Sequence, residues 1–243
     1  MKILVTGGSG FIGSNFIEYF ANHYTDIEII NIDILTYAAN KSNNDIAAEI
    51  LGKKYTFEEA DICDFPEINS VFAFYKPDYV VHFAAESSVD KSLLGDSESQ
   101  FIVTNVEGTL NIFKAARSNN VKRTLYISTD EVYGDILKGS ATEDSLLNPR
   151  NLYAASKLAG EHIAKSYFHT YNMDIVITRS SNNYGKYQHA EKFIPASIQN
   201  LLLDKPITLY GDGSQKRQWI HVVDNCRGIA EVLFNGKKAK SII

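Results

Sequence analysis

Short, nearly all-apolar runs rich in Val and Ile recur at residues 3–5, 28–32, 55–58, 79–83, 124–127 and 175–178. Longer amphipathic stretches separate them, near residues 12–22, 67–75, 100–119 and 153–171. A strand with no polar alternation is buried on both faces, so these runs predict a parallel sheet covered by helices on either side. Strand and helix in strict rotation, joined by right-handed crossovers, predict an α/β fold with a Rossmann-type doubly wound parallel sheet. The rhythm weakens after about Ser180, where Asn, Tyr and Gly become frequent. Residues 181–219 read as loops and short helices over the carboxyl ends of the strands, where such folds bind substrate. A last helix is predicted over 222–234. The small, basic stretch 235–243 reads as a frayed tail or a truncation point. The expected division is therefore a cofactor-binding domain over 1–180 and a small substrate-binding lobe over 181–243, interleaved with it.

Composition narrows the function classes. Of 243 residues, 44% are hydrophobic and 22% charged, which is a folded rather than a disordered balance. The net charge of -5 gives no general attraction to nucleic acid or anionic lipid, so any phosphate must be held by local groups. Cys63 and Cys226 are far apart and in no CxxC pair, so neither a disulfide framework nor a metal site is expected. The N-terminus runs straight into a Gly-rich turn without a signal-like apolar core, and no stretch is long enough to span a membrane. The expected compartment is the cytoplasm.

Gly7, Gly10 and Gly13 lie between the first strand and the first helix, in the segment Gly7-Gly8-Ser9-Gly10-Phe11-Ile12-Gly13. Gly7 allows the sharp turn, Gly10 lets a pyrophosphate approach the backbone, and Gly13 lets the helix pack on the sheet. The helix N-terminus offers N–H groups and partial positive charge to that phosphate. Asp33 ends the second strand, 20 residues beyond Gly13. A carboxylate there accepts from ribose hydroxyls and repels a 2′-phosphate, which points to NAD rather than NADP. Asp61 and Ile62, after the third strand, are candidates for the adenine pocket. Ala84 and Ala85, after the fourth, would leave room for the dinucleotide, with Phe11 and Ile12 completing its binding turn. Lys91 and Asn105 carry no assignment.

Tyr153 and Lys157 are four apart on a predicted helix and share one face. An ammonium beside a phenol lowers the phenol's pKa and prepares it to take a hydroxyl proton. Ser128-Thr129-Asp130-Glu131 follows the fifth strand, at the edge where this fold places its reacting groups. A hydroxyl there can hydrogen-bond to the reacting oxygen. Two adjacent carboxyls facing one site need not share a protonation state, because burial and like charge raise one pKa and leave a neutral acid beside a base. The competing reading has Asp130 capping a turn and Glu131 facing solvent.

These motifs resemble the extended short-chain dehydrogenase/reductase family. Within it, residues 127–134, 35–38, 60–64 and 181–185 are similar to those of the dTDP-glucose 4,6-dehydratases, with the Thr129-Asp130-Glu131 element the specific part. The resemblance implies a lyase of nucleotide-sugar metabolism and deoxysugar biosynthesis. Tyr153, helped by Lys157, would take the C4 hydroxyl proton while hydride passes to NAD. Glu131 would take the C5 proton and Asp130 would protonate the leaving C6 hydroxyl, with Thr129 on the C4 oxygen. It also implies substrate contacts from Asn183, Lys192 and Arg217, the last on the diphosphate, and from Ser88.

Three positions depart from the family's pattern. Ser88 and Asn225 stand where His is usual, and Lys186 where Pro is usual. These changes leave a UDP-sugar open as substrate beside dTDP-glucose. The family carries a further substrate-binding segment after the last residue here, so the lobe is expected to be partly truncated. Two other readings remain: an NAD-dependent nucleotide-sugar 4-epimerase, which would not need the two carboxyls, and a non-catalytic NAD or nucleotide-sugar sensor. A homodimer is implied, built on the long helices 100–119 and 153–171.

Overall fold

The computed structural model describes residues 1–88, 98–207, 209, 211–214, 216–238 and 240–242. All six expected strands form: β1 (Lys2–Thr6), β2 (Glu28–Ile32), β3 (Tyr55–Glu58), β4 (Tyr79–His82), β5 (Arg123–Thr129) and β6 (Ile175–Ser180). Three short strands follow, β7 (Asn182–Tyr184), β8 (Trp219–His221) and β9 (Ser241–Ile242). The main sheet has the order β3-β2-β1-β4-β5-β6-β9 and is parallel at every junction. β1 lies between β2 and β4, so the strand order reverses there. The loops leaving β1 and β4 then diverge and open a crevice above the carboxyl ends.

The inner strands are buried on both faces, as their composition demands, while β3 at the sheet edge is half-buried. Ile3, Val5, Ile29, Val81 and Val176 pack toward one side against α1 (Phe11–His23). Leu4, Ile30, Ile32 and Val80 pack toward the other against α3 (Phe65–Tyr75) and α4, which spans 98–118. The short α2 (Asp45–Leu51) precedes β3. Helix α4 runs through Glu98–Ile102, a π-helical stretch Val103–Gly108, and Thr109–Ser118. Helix α5 (Leu152–Tyr171) carries the Tyr–Lys pair. The remaining α-helices among the described residues are α6 (Phe193–Leu202) and α7 (Val222–Asn235).

Two regions differ from the sequence expectation. The tail is not frayed through residue 242. Ser241 and Ile242 pair with Ile177 and Thr178 and extend the main sheet by one strand. A two-residue strand against a long neighbour is stabilised by that neighbour's ladder rather than by its own propensity. Residues 222–235 also return to the main domain, with Val222, Cys226, Ile229 and Leu233 buried against Phe16 and Phe20 of α1. Above the sheet, β7 and β8 form a separate two-stranded ribbon.

Candidate active site

The turn after β1 is shaped by glycine. Gly7 has φ +70°, and a Cβ there would lie 2.6 Å from the Ala84 nitrogen, so the β1 and β4 loops meet only around a bare Cα. A Cβ on Gly13 would overlap the Gly7 carbonyl, which is how closely α1 approaches the turn. Gly10 is less crowded, with Gly7 O at 3.4 Å as its nearest neighbour, leaving room for a phosphate at the start of α1. Asp33 accepts from the Ser9 amide at 2.9 Å and the Leu35 amide at 2.8 Å. Burial pushes its pKa up, and those two bonds oppose the shift.

A cleft of about 450 Å³ lies over this turn. Its wall includes Gly7, Gly10, Phe11, Ile12, Gly13, Asp33, Asp61, Ile62, Ala84 and Ala85, and at its inner end Thr129, Asp130, Glu131, Tyr153 and Lys157. The fold thus gathers every expected cofactor and catalytic residue into one cavity. Ser128 and Asn183 line it too, and Ser128 Oγ and Asn183 Oδ1 are buried without a hydrogen-bond partner among the described residues. Buried polar atoms without partners are costly, so these two suit a polar ligand. The long cleft, the glycine turn at one end and the carboxylate at Asp33 fit a dinucleotide.

At the inner end, β5 passes into a 3₁₀ turn, Asp130–Tyr133. The residue that caps it is Thr129, not Asp130. The Thr129 hydroxyl accepts from the Glu131 amide at 3.2 Å and donates to Asp130 Oδ1 at 3.4 Å. Both carboxylates therefore stay on the cleft wall. Burial, and then the charge of Glu131, raise the pKa of Asp130. Glu131 Oε2 accepts from Asn151 Nδ2 at 2.9 Å, while Asn151 Oδ1 accepts from the Ala154 amide at 2.7 Å and caps α5.

The Tyr–Lys couple corrects one expectation. The pKa of Tyr153 is pushed up rather than down, first by burial and then by the charge of Glu131, with the Thr129 hydroxyl opposing. Burial also lowers Lys157, to about 7, against the pull of Glu161. Desolvation disfavours both charged forms, and the causes of the two shifts are burial and neighbours other than the partner the spacing suggested. Lys157 Nζ stands 4.4 Å from the centre of the Tyr126 ring.

Behind these groups, Arg179 of β6 is buried. It forks onto Glu161 of α5 at 2.8 and 2.6 Å and donates to the Tyr133 hydroxyl at 2.5 Å. One guanidinium thus ties the catalytic helix to the turn that carries the carboxylates. Asn105, in the π-helical stretch, bonds the Glu86 backbone through both arms and the Ser156 hydroxyl at 2.8 Å. It joins the β4 loop to α5. Lys91 lies outside the described residues.

The expected substrate residues divide. Asn183 and Lys192 line the cleft; Ser88 and Arg217 do not. Ser88 is buried, with a hydrogen bond to the Tyr37 hydroxyl. Arg217 is exposed and donates to the Lys216 carbonyl at 2.9 Å. Lys186 bonds to Glu18 of α1 at 2.9 and 3.0 Å, and Asn15 donates to its carbonyl, so the loop after β7 is fastened to the first helix. The wall also includes Glu86, Gln100, Gln188 and His189, which no motif singled out. Asn151 was likewise missed. Its sequence signal, an Asn just before a helix, marks a cap and says nothing of a partner 20 residues away.

A doubly wound sheet, a dinucleotide turn and a Tyr–Lys pair beside two carboxyls define an NAD-dependent enzyme that acts at a hydroxyl-bearing carbon. The chain belongs to the NAD dependent epimerase/dehydratase family, whose model matches residues 3–242. A dTDP-glucose 4,6-dehydratase of Haemophilus influenzae is 45% identical over 249 residues, spanning 98% of this chain and 72% of that protein. The dTDP-glucose 4,6-dehydratase 1 of Escherichia coli is 40% identical, over 99% of this chain and 71% of its own. Among solved structures, a dTDP-glucose 4,6-dehydratase from Streptomyces venezuelae with NAD bound superposes with a TM-score of 0.92 at 44% identity, covering 100% of this chain and 74% of that one. A UDP-glucose 4-epimerase of Thermus thermophilus in complex with NAD reaches 0.88 at 29% identity, over 100% and 76%.

Proposed function

We propose that the chain is an NAD-dependent nucleotide-sugar 4,6-dehydratase whose substrate is dTDP-glucose, converted to the 4-keto-6-deoxy sugar. The observation that carries this is the placement of Asp130 and Glu131 on the same cavity wall as Tyr153 and Lys157. An epimerase needs only the Tyr–Lys couple. Elimination of water across C5 and C6 needs one group to remove a proton and another to deliver one.

The chain's own groups divide the work as follows. Tyr153 takes the C4 hydroxyl proton, with Lys157 one helical turn along the same face. Thr129 holds the C4 oxygen. Glu131 takes the C5 proton, made acidic by the C4 carbonyl. Asp130, held toward its neutral form by burial and by the charge of Glu131, gives its proton to the C6 hydroxyl, which leaves as water. The glycine turn and Asp33 would hold NAD, which would supply reversible hydride acceptance for the oxidation at C4 and the reduction at C6. Asn183 and Lys192 hold the nucleotide sugar. Arg217 reaches the diphosphate if its exposed segment folds over the cleft.

We divide the chain into the dinucleotide domain and a lobe over 181–221, with 222–242 returning to the sheet. The setting we infer is cytoplasmic. No described helix is long and apolar enough to cross a membrane. We also infer a homodimer through α4 and α5, since α4 leaves Ile102, Val103 and Leu110 exposed.

The test is product analysis of the purified protein with dTDP-glucose, UDP-glucose and UDP-N-acetylglucosamine side by side. A 4-keto-6-deoxy product from dTDP-glucose is expected; simple inversion at C4 would refute the assignment. Tyr153→Phe should abolish reduction of bound NAD by substrate. Glu131→Gln should preserve that reduction and slow the formation of product that follows it by about 10²-fold.

A further inference from the structure

Asn151 precedes the catalytic helix and belongs to neither the cofactor turn nor the cleft wall, yet its side chain is committed at both ends. Oδ1 accepts from the Ala154 amide at 2.7 Å. That bond fixes the orientation of the amide, because a backbone N–H can only donate. Nδ2 is thereby turned the other way, and it lies 2.9 Å from Glu131 Oε2. A donor fixed in this way aims the carboxylate oxygen that accepts from it. Asp130, the neighbouring carboxyl, is reached instead by the Thr129 hydroxyl, at 3.4 Å, and by backbone amides of its own turn. The two acids of the site are thus supplied with different partners.

We infer that Asn151 is a positioning residue that holds Glu131 aimed as the base for C5, and couples it to the helix start that carries Tyr153. Resting on the dehydratase reading, this adds the device that separates the duties of the two carboxyls. A Ser at 151 would cap α5 equally well but has no second arm to reach Glu131. An Asp would keep the cap and face Glu131 with a like charge.

Asn151→Ser and Asn151→Asp therefore separate the two roles. Both should keep NAD affinity and melting temperature close to wild type, since both residues are good helix caps. Turnover of dTDP-glucose should fall about tenfold in Asn151→Ser and about a hundredfold in Asn151→Asp. In single turnovers, absorbance of the reduced nicotinamide should build up in both variants, because C4 oxidation is intact while C5 deprotonation is slowed. Exchange of the C5 proton with deuterated solvent should slow in the same order. Wild-type turnover in both variants, or a loss of turnover without reduced nicotinamide building up, would overturn the role. A wild-type protein that yields no 4-keto-6-deoxy product would overturn the dehydratase reading itself, and is recognised before any variant is made.

Discussion

At the scale of single residues, this site is governed by desolvation. Asp130 is an acid whose folded-state pKa is raised by burial and by Glu131. Its contribution to stability is fully present below the ordinary carboxylate range and is lost as pH rises through the raised value. Above the ordinary carboxylate range its burial works against folding. Asp130→Asn should therefore melt above wild type at pH 7, with the difference closing toward about pH 3, while kcat falls by about 10² or more. Differential scanning calorimetry across pH checks the first, steady-state kinetics the second. Lys157 has the opposite sign. Its pKa is lowered to about 7 by burial, so its contribution is present above the unfolded value near 10.5 and is lost as pH falls through 7. Stability measured by urea unfolding should rise through that window by up to about 1 kcal/mol per pH unit. Lys157→Met should flatten the rise.

At the scale of elements, the site depends on how α5 and the turn after β5 are held relative to each other. Arg179 and Glu161 are both buried and form a two-bond fork, with the Tyr133 hydroxyl on the guanidinium's other side. Removing one member of a buried pair leaves an uncompensated charge, a loss of about 3–5 kcal/mol. Arg179→Met should cost that much in chemical denaturation. The double variant Arg179→Met with Glu161→Leu should recover most of it. If the double variant regains stability but not full turnover, the fork also sets the geometry of the carboxylates.

At the scale of the whole molecule, the sheet order decides where chemistry happens. Reversal at β1 opens the crevice between the β1 and β4 loops, and β5 ends beside it with the Thr129–Glu131 turn. Helices α4 and α5 pack side by side, with Phe113 against Tyr167. The exposed Ile102, Val103 and Leu110 lie on α4. Sedimentation velocity at micromolar concentration should find a dimer, and Val103→Glu combined with Leu110→Glu should give a monomer. Single species at the monomer mass in the unmodified protein would remove the four-helix interface.

The elements legible in the sequence were those set by local pattern. All-apolar strands, amphipathic helices, glycines at 7, 10 and 13, Asp33, and the Tyr153–Lys157 spacing depend on neighbours a turn or a strand away, so periodicity and steric need suffice to read them. The resemblance then supplied roles for Thr129, Asp130 and Glu131. What tertiary structure alone decided depends on burial and on distant partners. Ser241–Ile242 became a strand because β6 offered it a ladder. Tyr153 shifted upward because the fold encloses it. Asn151 found Glu131, and Arg179 found Glu161, across gaps in sequence that no repeat spans. Ser88 and Arg217, matched by motif, stand off the cleft wall, since a motif records residue type and order but not the path of the loop that carries it. Local geometry is written in short-range sterics; electrostatics at a site is written in which surfaces the fold removes from water.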